Sequence, residues 1–130
     1  ASGKMFMGIC LGMQVLFERS YEFGETQGLG VLDGEVRKLP IGSLSVPNVG
    51  WWDLEGNYSE FTEKISDIDT FYFVHSYHCC PNKKYNILTI NFNGQNILAS
   101  VRHNNVIGYQ FHPEKSQKSG QKLLKVFKEI

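Results

Sequence analysis

The chain has 130 residues, of which 42% are hydrophobic and 13% are aromatic. This is enough apolar material to bury one core, and it excludes a disordered chain. Thirteen basic and thirteen acidic residues give a net charge of zero, which argues against nucleic acid or an acidic membrane as partner. No apolar run approaches the ~18 residues that span a bilayer, and the opening stretch lacks a signal-peptide pattern. The three cysteines, two of them adjacent, favour free thiols and therefore a reducing compartment, so we expect a cytoplasmic protein. The length of the chain predicts a single domain over residues 1–130.

A strand, a sharp turn and a helix are predicted at the start of the chain. Residues 4–9 have the pattern of a strand buried on both faces, which needs neighbours on both sides, so we expect further strands outside this chain. Residues 11–19 carry Met13, Leu16 and Phe17 at helical spacing, and glycines at 24, 28 and 30 end that pattern.

Short strands and loops are predicted between residues 31 and 54, and a clearer strand over residues 71–77. Asn93-Gly94 lies between two apolar runs, 87–92 and 97–101, and tolerates the positive φ of a type I′ hairpin turn. With residues 106–111 these runs predict a three-strand meander. A last helix is predicted to have an apolar face and a solvated lysine face, formed respectively by Gly120, Leu123, Leu124 and Phe127 and by Lys118, Lys122, Lys125 and Lys128.

A candidate nucleophile lies in the sequence Gly8-Ile9-Cys10-Leu11-Gly12, between the first strand and the first helix. In such an elbow, small residues on either side let strand and helix approach closely while the nucleophile projects from a tight turn. The helix N-terminus is expected to lower the pKa of Cys10, and the backbone N–H of Leu11 to point where an oxyanion would form. The competing interpretation is a buried structural cysteine beside two loop glycines.

His112-Pro113-Glu114 supplies the partner that such a nucleophile needs. In an extended segment residues i and i+2 project to the same side, and proline favours extended geometry at the preceding histidine. Glu114 can then orient the imidazole of His112. Cysteine, histidine and carboxylate form the nucleophile, base and orienter set of acyl transfer. On its own the tripeptide is more typical of a solvated turn after a strand, and only its combination with Cys10 points to catalysis.

Further polar residues are candidates for holding a substrate. Gln14 lies one helical turn after Cys10 on the same face, or is simply a surface glutamine. His75, Ser76 and Tyr77 end an otherwise apolar strand, where loops usually build sites, or are an ordinary strand histidine and edge tyrosine.

His75, His78, Cys79 and Cys80 fall within six residues and are candidates for a metal site. The spacing lacks the separated ligand pairs of zinc sites, and strand alternation sends adjacent cysteines to opposite faces. A phosphate-binding loop is also disfavoured because no sequence of the type G-x-x-x-x-G-K-[ST] occurs. We therefore expect neither metal nor cofactor.

Four segments in order, GICLGMQ, VPNVGWW, YFVHSY and QFHPEKS, resemble the class I (triad) glutamine amidotransferases. Within that family the chain is most similar to the glutaminase subunits of imidazole glycerol phosphate synthases. The resemblance implies an α/β, flavodoxin-like glutaminase domain with a mixed sheet, of which this chain supplies the C-terminal portion. It implies hydrolysis of glutamine to glutamate and ammonia, which passes to a (β/α)8-barrel cyclase subunit in histidine biosynthesis.

The resemblance also assigns roles to residues. It makes Cys10, His112 and Glu114 the catalytic triad. It assigns a second group to the binding of glutamine, namely Gly8, Leu11, Gln14, His75, Ser76 and Tyr77. It assigns a third group to the synthase interface, namely Pro47, Gly50, Trp51, Tyr72 and Lys115. Trp51 could instead be a core residue.

Two departures from the family pattern alter the expected partner surface. Trp52 stands where the family usually has asparagine, and Asn48 stands where it usually has histidine. With His78, these substitutions leave open a glutaminase that feeds a surface-polysaccharide sugar amidotransferase. An inactive fragment that serves as a binding module and a stand-alone cysteine hydrolase are separate alternatives.

The family's upstream portion supplies the first strands of the sheet and a second oxyanion donor. Loss of one such donor typically slows acyl transfer about 10²- to 10³-fold. The chain alone is therefore expected to be a poor glutaminase. Its uncovered strand edge is expected to be covered either in a homo-oligomer or by an upstream segment outside the given sequence.

Overall fold

The computed structural model describes residues 4–40, 46–56 and 69–129. The strands of these segments, in chain order, are β1 (Phe6–Ile9), β2 (Arg19–Ser20), β3 (Thr26–Gln27), β4 (Gly34–Lys38), β5 (Asn48–Asp53), β6 (Glu55–Gly56), β7 (Thr70–His75), β8 (Tyr77–Pro81), β9 (Asn86–Phe92), β10 (Gln95–His103) and β11 (Val106–Tyr109). The helices are α1 (Leu11–Gln14), a 3₁₀ turn (Pro113–Lys115) and α2 (Gln117–Glu129).

The largest sheet is mixed, with strand order β1-β11-β10-β9-β6. Strands β1 and β11 run parallel, with Gly8 opposite Gly108, and the β9, β10 and β11 strands are antiparallel neighbours. Asn93 and Gly94 both have positive φ, 56° and 81°, as a type I′ turn requires. The predicted hairpin and meander are therefore confirmed.

Strand β1 forms where the sequence predicts a strand, but the described residues do not cover it on both sides. Within the described part of the chain it pairs with β11 alone, and Phe6 is 49% exposed. An apolar cavity of about 500 Å³ borders Met5 and Phe6 and is also lined by Leu16, Leu29 and Val106. This agrees with the expectation of an uncovered strand edge, and the further strands expected outside this chain stay a prediction.

The strand predicted over residues 71–77 is in fact two strands. Strand β7 ends at His75 and pairs with β5, whereas β8 begins at Tyr77 and pairs with β4 in the smaller sheet β3-β2-β4-β8. Ser76 forms the bend between them. The run divides because its two halves pair with different partners.

Helix α1 is much shorter than the helix predicted over residues 11–19. Leu16 and Phe17 are buried as expected, but their carbonyls accept hydrogen bonds from Leu32 at 2.9 Å and Gly30 at 3.2 Å instead of from helical N–H groups. Gly28 permits this close approach, since an added Cβ would lie 2.1 Å from the carbonyl oxygen of Phe17. Tertiary hydrogen bonds thus replace the later turns of the helix.

Helix α2 confirms the predicted C-terminal helix. Gly120 and Leu123 are buried, and Gly120 lies so close to Pro113 that a Cβ would meet its carbonyl oxygen at 1.8 Å. Lys122 is not simply solvated, because its Nζ lies 2.6 Å from Asp69 Oδ2. The contact with Pro113 fixes α2 directly beside the segment that carries His112.

Candidate active site

Cys10 lies at the turn between β1 and α1, as the sequence predicts. Its φ of 55° and ψ of −110° are strained for a residue with a Cβ, and its N–H donates to the carbonyl of Tyr109 at 2.6 Å. The steric role of Gly8 is confirmed, because an added Cβ would lie 2.6 Å from the carbonyl oxygen of Gly12. The same role was wrong for Gly12, because an added Cβ there would have no heavy atom of another described segment within 4 Å.

The thiol of Cys10 is partly enclosed by backbone and amide groups. Its Sγ lies 3.9 Å from the carbonyl oxygen of Val74 and accepts a hydrogen bond from Gln110 Nε2 at 3.6 Å. Burial raises the pKa of Cys10, and the backbone N–H of Leu11 and the amide of Gln110 oppose that effect only in part. The expected lowering of this pKa was wrong, because α1 has only four residues and burial outweighs its N-terminus.

The predicted pairing of His112 with Glu114 is present. His112 Nδ1 lies 2.9 Å from Glu114 Oε2; since the carboxylate accepts, Nδ1 carries the hydrogen and Nε2 is left for chemistry. The segment is not extended throughout as expected, because Pro113–Lys115 form a 3₁₀ turn. That turn still brings the carboxylate back to the imidazole.

Cys10 and His112 lie at the same edge of the large sheet. Their strands β1 and β11 are parallel neighbours with Ile9 opposite Tyr109, so both residues follow the carboxyl ends of adjacent strands. Among the described residues no hydrogen bond joins the thiol to the imidazole; the thiol faces Val74 and Gln110 instead. Catalytic contacts are often long in unliganded sites and tighten on substrate binding.

Gln14 is buried and does not lie on the surface. Its Nε2 donates to the carbonyl of Tyr77 at 3.1 Å and to Gln110 Oε1 at 3.0 Å. Both amide hydrogens are therefore used within the protein, and Oε1 is the atom left for a substrate.

His75 is buried in a hydrogen-bond chain that includes both departures from the family pattern. Its Nδ1 donates to the carbonyl of Tyr77 at 2.8 Å, which assigns Nε2 as the acceptor for Asn48 Nδ2 at 3.2 Å. Asn48 Oδ1 in turn accepts from Trp52 Nε1 at 2.9 Å. Burial lowers the pKa of His75 to about 4, so the imidazole is neutral at physiological pH.

Ser76 and Tyr77 take part through their backbone. The carbonyl of Ser76 accepts from Leu39 N–H at 2.9 Å, and the carbonyl of Tyr77 binds both Gln14 and His75. The bend at Ser76 thus ties the second sheet to the residues around Cys10.

A cavity of about 260 Å³ borders Leu11 and Gln14 and is also lined by Arg19, Ser20, Glu22 and Phe23. Glu22 and Gln110 were missed by sequence reasoning. Glu22 lies in a loop with no apolar periodicity, and Gln110 follows an apolar strand where a polar side chain gives no local signal. Only the tertiary structure relates them to Cys10: Gln110 donates a hydrogen bond to the thiol, and the charge of Glu22 acts on the thiol.

The five residues assigned to the interface lie on or next to the β5–β7 ribbon. Trp51 is 47% exposed and lies across from Tyr72, with ring centroids 5.7 Å apart; the interpretation of Trp51 as core is therefore wrong. Pro47 and Lys115 are exposed and Gly50 is half-buried. The N–H of His112 donates to the carbonyl of Tyr72 at 3.0 Å, which links this surface directly to the candidate base.

Trp52, next along β5, points the other way. Its ring packs against Phe92 with centroids 5.9 Å apart.

The adjacent cysteines lie on opposite faces of their strand, as predicted, with Cys79 buried and Cys80 partly exposed. In the ranges described by the structure, no three His, Cys, Asp or Glu residues come together as metal ligands.

Residues 1–129 match the family described as glutamine amidotransferase class-I. The chain belongs to this family. Imidazole glycerol phosphate synthase subunit HisH of Aquifex aeolicus is 50% identical over 127 residues, which are 97% of this chain and 61% of that protein. The HisH subunit of Lactococcus lactis is 49% identical over 99% of this chain and 64% of its own length. The chain therefore spans a little under two thirds of these curated relatives.

Solved structures with this fold include a glutamine amidotransferase from Thermotoga maritima, with a TM-score of 0.58 and 18% identity over 95% of this chain and 46% of that one. A second glutamine amidotransferase structure has a TM-score of 0.54 and 21% identity over 95% of this chain and 58% of that one. These likenesses confirm the predicted α/β, flavodoxin-like fold.

No helix in the described segments is long and apolar enough to cross a membrane.

Proposed function

We propose that this chain belongs to the glutaminase subunit of an imidazole glycerol phosphate synthase, which hydrolyses glutamine and delivers ammonia for histidine biosynthesis. The observation that carries the proposal is the placement of Cys10 and the His112–Glu114 pair at the ends of adjacent parallel strands. Relatives about half identical in sequence carry the HisH name. Together they favour this synthase over an unrelated cysteine hydrolase.

In the proposed reaction His112 Nε2 first takes the proton of the Cys10 thiol. The resulting thiolate attacks the side-chain carboxamide carbon of glutamine, and the N–H of Leu11 donates to the developing oxyanion. His112 Nε2 gives a proton to the departing nitrogen, which leaves as ammonia, and a glutamyl thioester remains. Water, deprotonated by His112, then attacks the thioester carbon; glutamate departs and the thiol is restored. Glu114 holds the imidazole in the tautomer that leaves Nε2 free.

The substrate is proposed to enter the cavity bounded by Leu11 and Gln14. Its ammonium group would face the carboxylate of Glu22, and Gln14 Oε1 would accept a hydrogen bond from it. Gly8, Ser76 and Tyr77 are proposed to complete the binding site along the backbone. His75 would support this site from behind, since both of its ring nitrogens are already bonded.

The partner is proposed to be a (β/α)8-barrel cyclase subunit docked on the β5–β7 ribbon in the cytoplasm. Trp51 and Tyr72 offer an exposed aromatic pair of the kind that anchors interfaces, and Pro47, Gly50 and Lys115 would border it. His112 is hydrogen-bonded to Tyr72, so ammonia released at the triad would emerge next to the docked barrel.

A sugar amidotransferase is the second candidate partner. The observation in its favour is that the two unusual residues bond to each other, Trp52 Nε1 to Asn48 Oδ1 at 2.9 Å, just behind the proposed docking surface. Because the two residues depart from the family pattern together, they would suit a partner synthase whose docking surface differs from that of the cyclase subunit. Stimulation of glutamine hydrolysis by one purified synthase and not by the other would decide between them.

The test of the proposed chemistry is hydrolysis of glutamine by the purified protein with its synthase. Cys10→Ala should abolish activity, whereas Cys80→Ala, which changes a thiol outside the site, should retain it. A glutamine-like chloroketone should label Cys10 before Cys79 or Cys80, as resolved by peptide mass spectrometry. Activity in Cys10→Ala, or first labelling at another cysteine, would refute the assignment of the nucleophile. A protein that binds the synthase but never hydrolyses glutamine would instead be a binding module.

A further inference from the structure

Gln110 is a fully buried amide, with no exposed surface, in contact with Cys10. It follows β11 directly, and its N–H donates to the carbonyl of Ala99 at 2.9 Å. The preceding residue, Tyr109, accepts the N–H of Cys10. The backbone on both sides of this contact is therefore fixed, and the Gln110 side chain is held against the sulfur.

The orientation of the Gln110 amide follows from its neighbours. The carbonyl of Tyr77 can only accept, so Gln14 must direct its Nε2 there. The same Nε2 lies 3.0 Å from Gln110 Oε1 and supplies it with a hydrogen. With Oε1 occupied as an acceptor, Gln110 must direct Nε2 toward Cys10 Sγ, 3.6 Å away. Gln110 therefore presents a hydrogen-bond donor, and not an acceptor, to the Cys10 sulfur.

We propose that Gln110 is a positioning residue that holds the Cys10 sulfur in place and stabilises its thiolate form. This inference rests on the proposed function, since it concerns the same nucleophile. As a thiol, Cys10 can donate to the carbonyl of Val74. As a thiolate it can no longer donate, and the hydrogen bond from Gln110 becomes charge-assisted and stronger. Gln110 therefore favours the reactive thiolate of Cys10 and opposes the effect of burial, which favours the thiol.

Gln110→Met tests the proposal, because methionine has a similar shape but no N–H to donate. The rate of Cys10 alkylation by iodoacetamide should be measured against pH in the purified protein by peptide mass spectrometry. The midpoint should rise by about one pH unit, so that alkylation at pH 7 is about tenfold slower and the rate recovers at high pH. Gln121→Met, an exposed residue of α2, is the matched control and should leave the profile unchanged.

A merely structural role would lower the melting temperature of Gln110→Met without moving the alkylation midpoint, and that result would overturn the proposal. If the variant does not fold, NMR of the unaltered protein decides. The Gln110 side-chain N–H signals should shift with pH at the alkylation midpoint and stop doing so in Cys10→Ala. Signals that ignore the titration would overturn the proposal. Alkylation needs no glutamine, so loss of the proposed glutaminase function would be detected separately.

Discussion

Mild acid should weaken this fold through His75, a buried histidine that the native structure keeps neutral. Its pKa lies at about 4, below the ordinary value of 6.5, chiefly because of burial and also because of the charges of His78 and His112. Protonated Nε2 would direct an N–H at the Asn48 amide nitrogen. The Asn48 amide cannot simply flip, because Trp52 already donates to its oxygen.

The magnitude follows from the two pKa values. Between pH 6.5 and about 4 the unfolded chain binds a proton at this histidine and the native chain does not. The stability that neutral His75 contributes is therefore complete above pH 6.5 and is lost as the pH falls toward 4. This loss amounts to about 2 kcal/mol between pH 7 and pH 5, and about 3 kcal/mol by pH 4.

Urea unfolding at pH 7, 6 and 5 measures the effect. His75→Gln cannot titrate, so its free energy of unfolding should fall about 2 kcal/mol less than that of the unaltered protein over this range. His103→Gln, at an exposed histidine, should fall as steeply as the unaltered protein. His78 also has a lowered pKa and adds to the slope in every variant, which is why the difference is the quantity to compare. Equal slopes for His75→Gln and the unaltered protein would refute the reasoning.

Three further outcomes are expected. Gly8→Ala should lower the free energy of unfolding in urea by about 1–3 kcal/mol, because the added Cβ would lie 2.6 Å from the carbonyl oxygen of Gly12. Gly12→Ala should leave the free energy of unfolding unchanged or raise it. Equal losses in the two variants would contradict the close approach at Gly8. His112→Ala should slow glutamine hydrolysis by about 10²-fold or more, and Glu114→Ala by less, since the histidine moves protons and the glutamate orients it; similar rates would argue against these roles. Trp51→Ala should weaken synthase binding in calorimetry at an unchanged melting temperature; a lower melting temperature with intact binding would show that this ring only supports the fold.

The elements that the sequence predicted correctly depend on local chemistry. Asn93-Gly94 tolerates left-handed backbone wherever it occurs, so the hairpin was readable from two residues and their apolar flanks. Helix α2 has one periodic face, and the pairing of His112 with Glu114 needs only residues two apart. The close approach at Gly8 is likewise a property of a five-residue turn.

The features that the sequence did not predict depend on groups far apart in the chain. Helix α1 stops at Gln14 because residues 30 and 32 take the carbonyls that a longer helix would use. The Cys10 pKa is raised because burial exceeds the effect of a single helical turn. Trp51 faces outward and Trp52 inward because the ribbon with β7 fixes the register of β5. No property of the two tryptophans themselves distinguishes them.

The sequence by itself determined the residue types at the candidate site and the short turns that present them. Only the tertiary structure decided how those residues are oriented. Gln14 and Gln110 are 96 positions apart. The carbonyl of Tyr77 directs the Gln14 amide, and the hydrogen that Gln14 then donates directs the Gln110 amide. Buried polar groups must satisfy one another once water is excluded. Their orientation is therefore a property of the packed set, which no single segment of the chain contains.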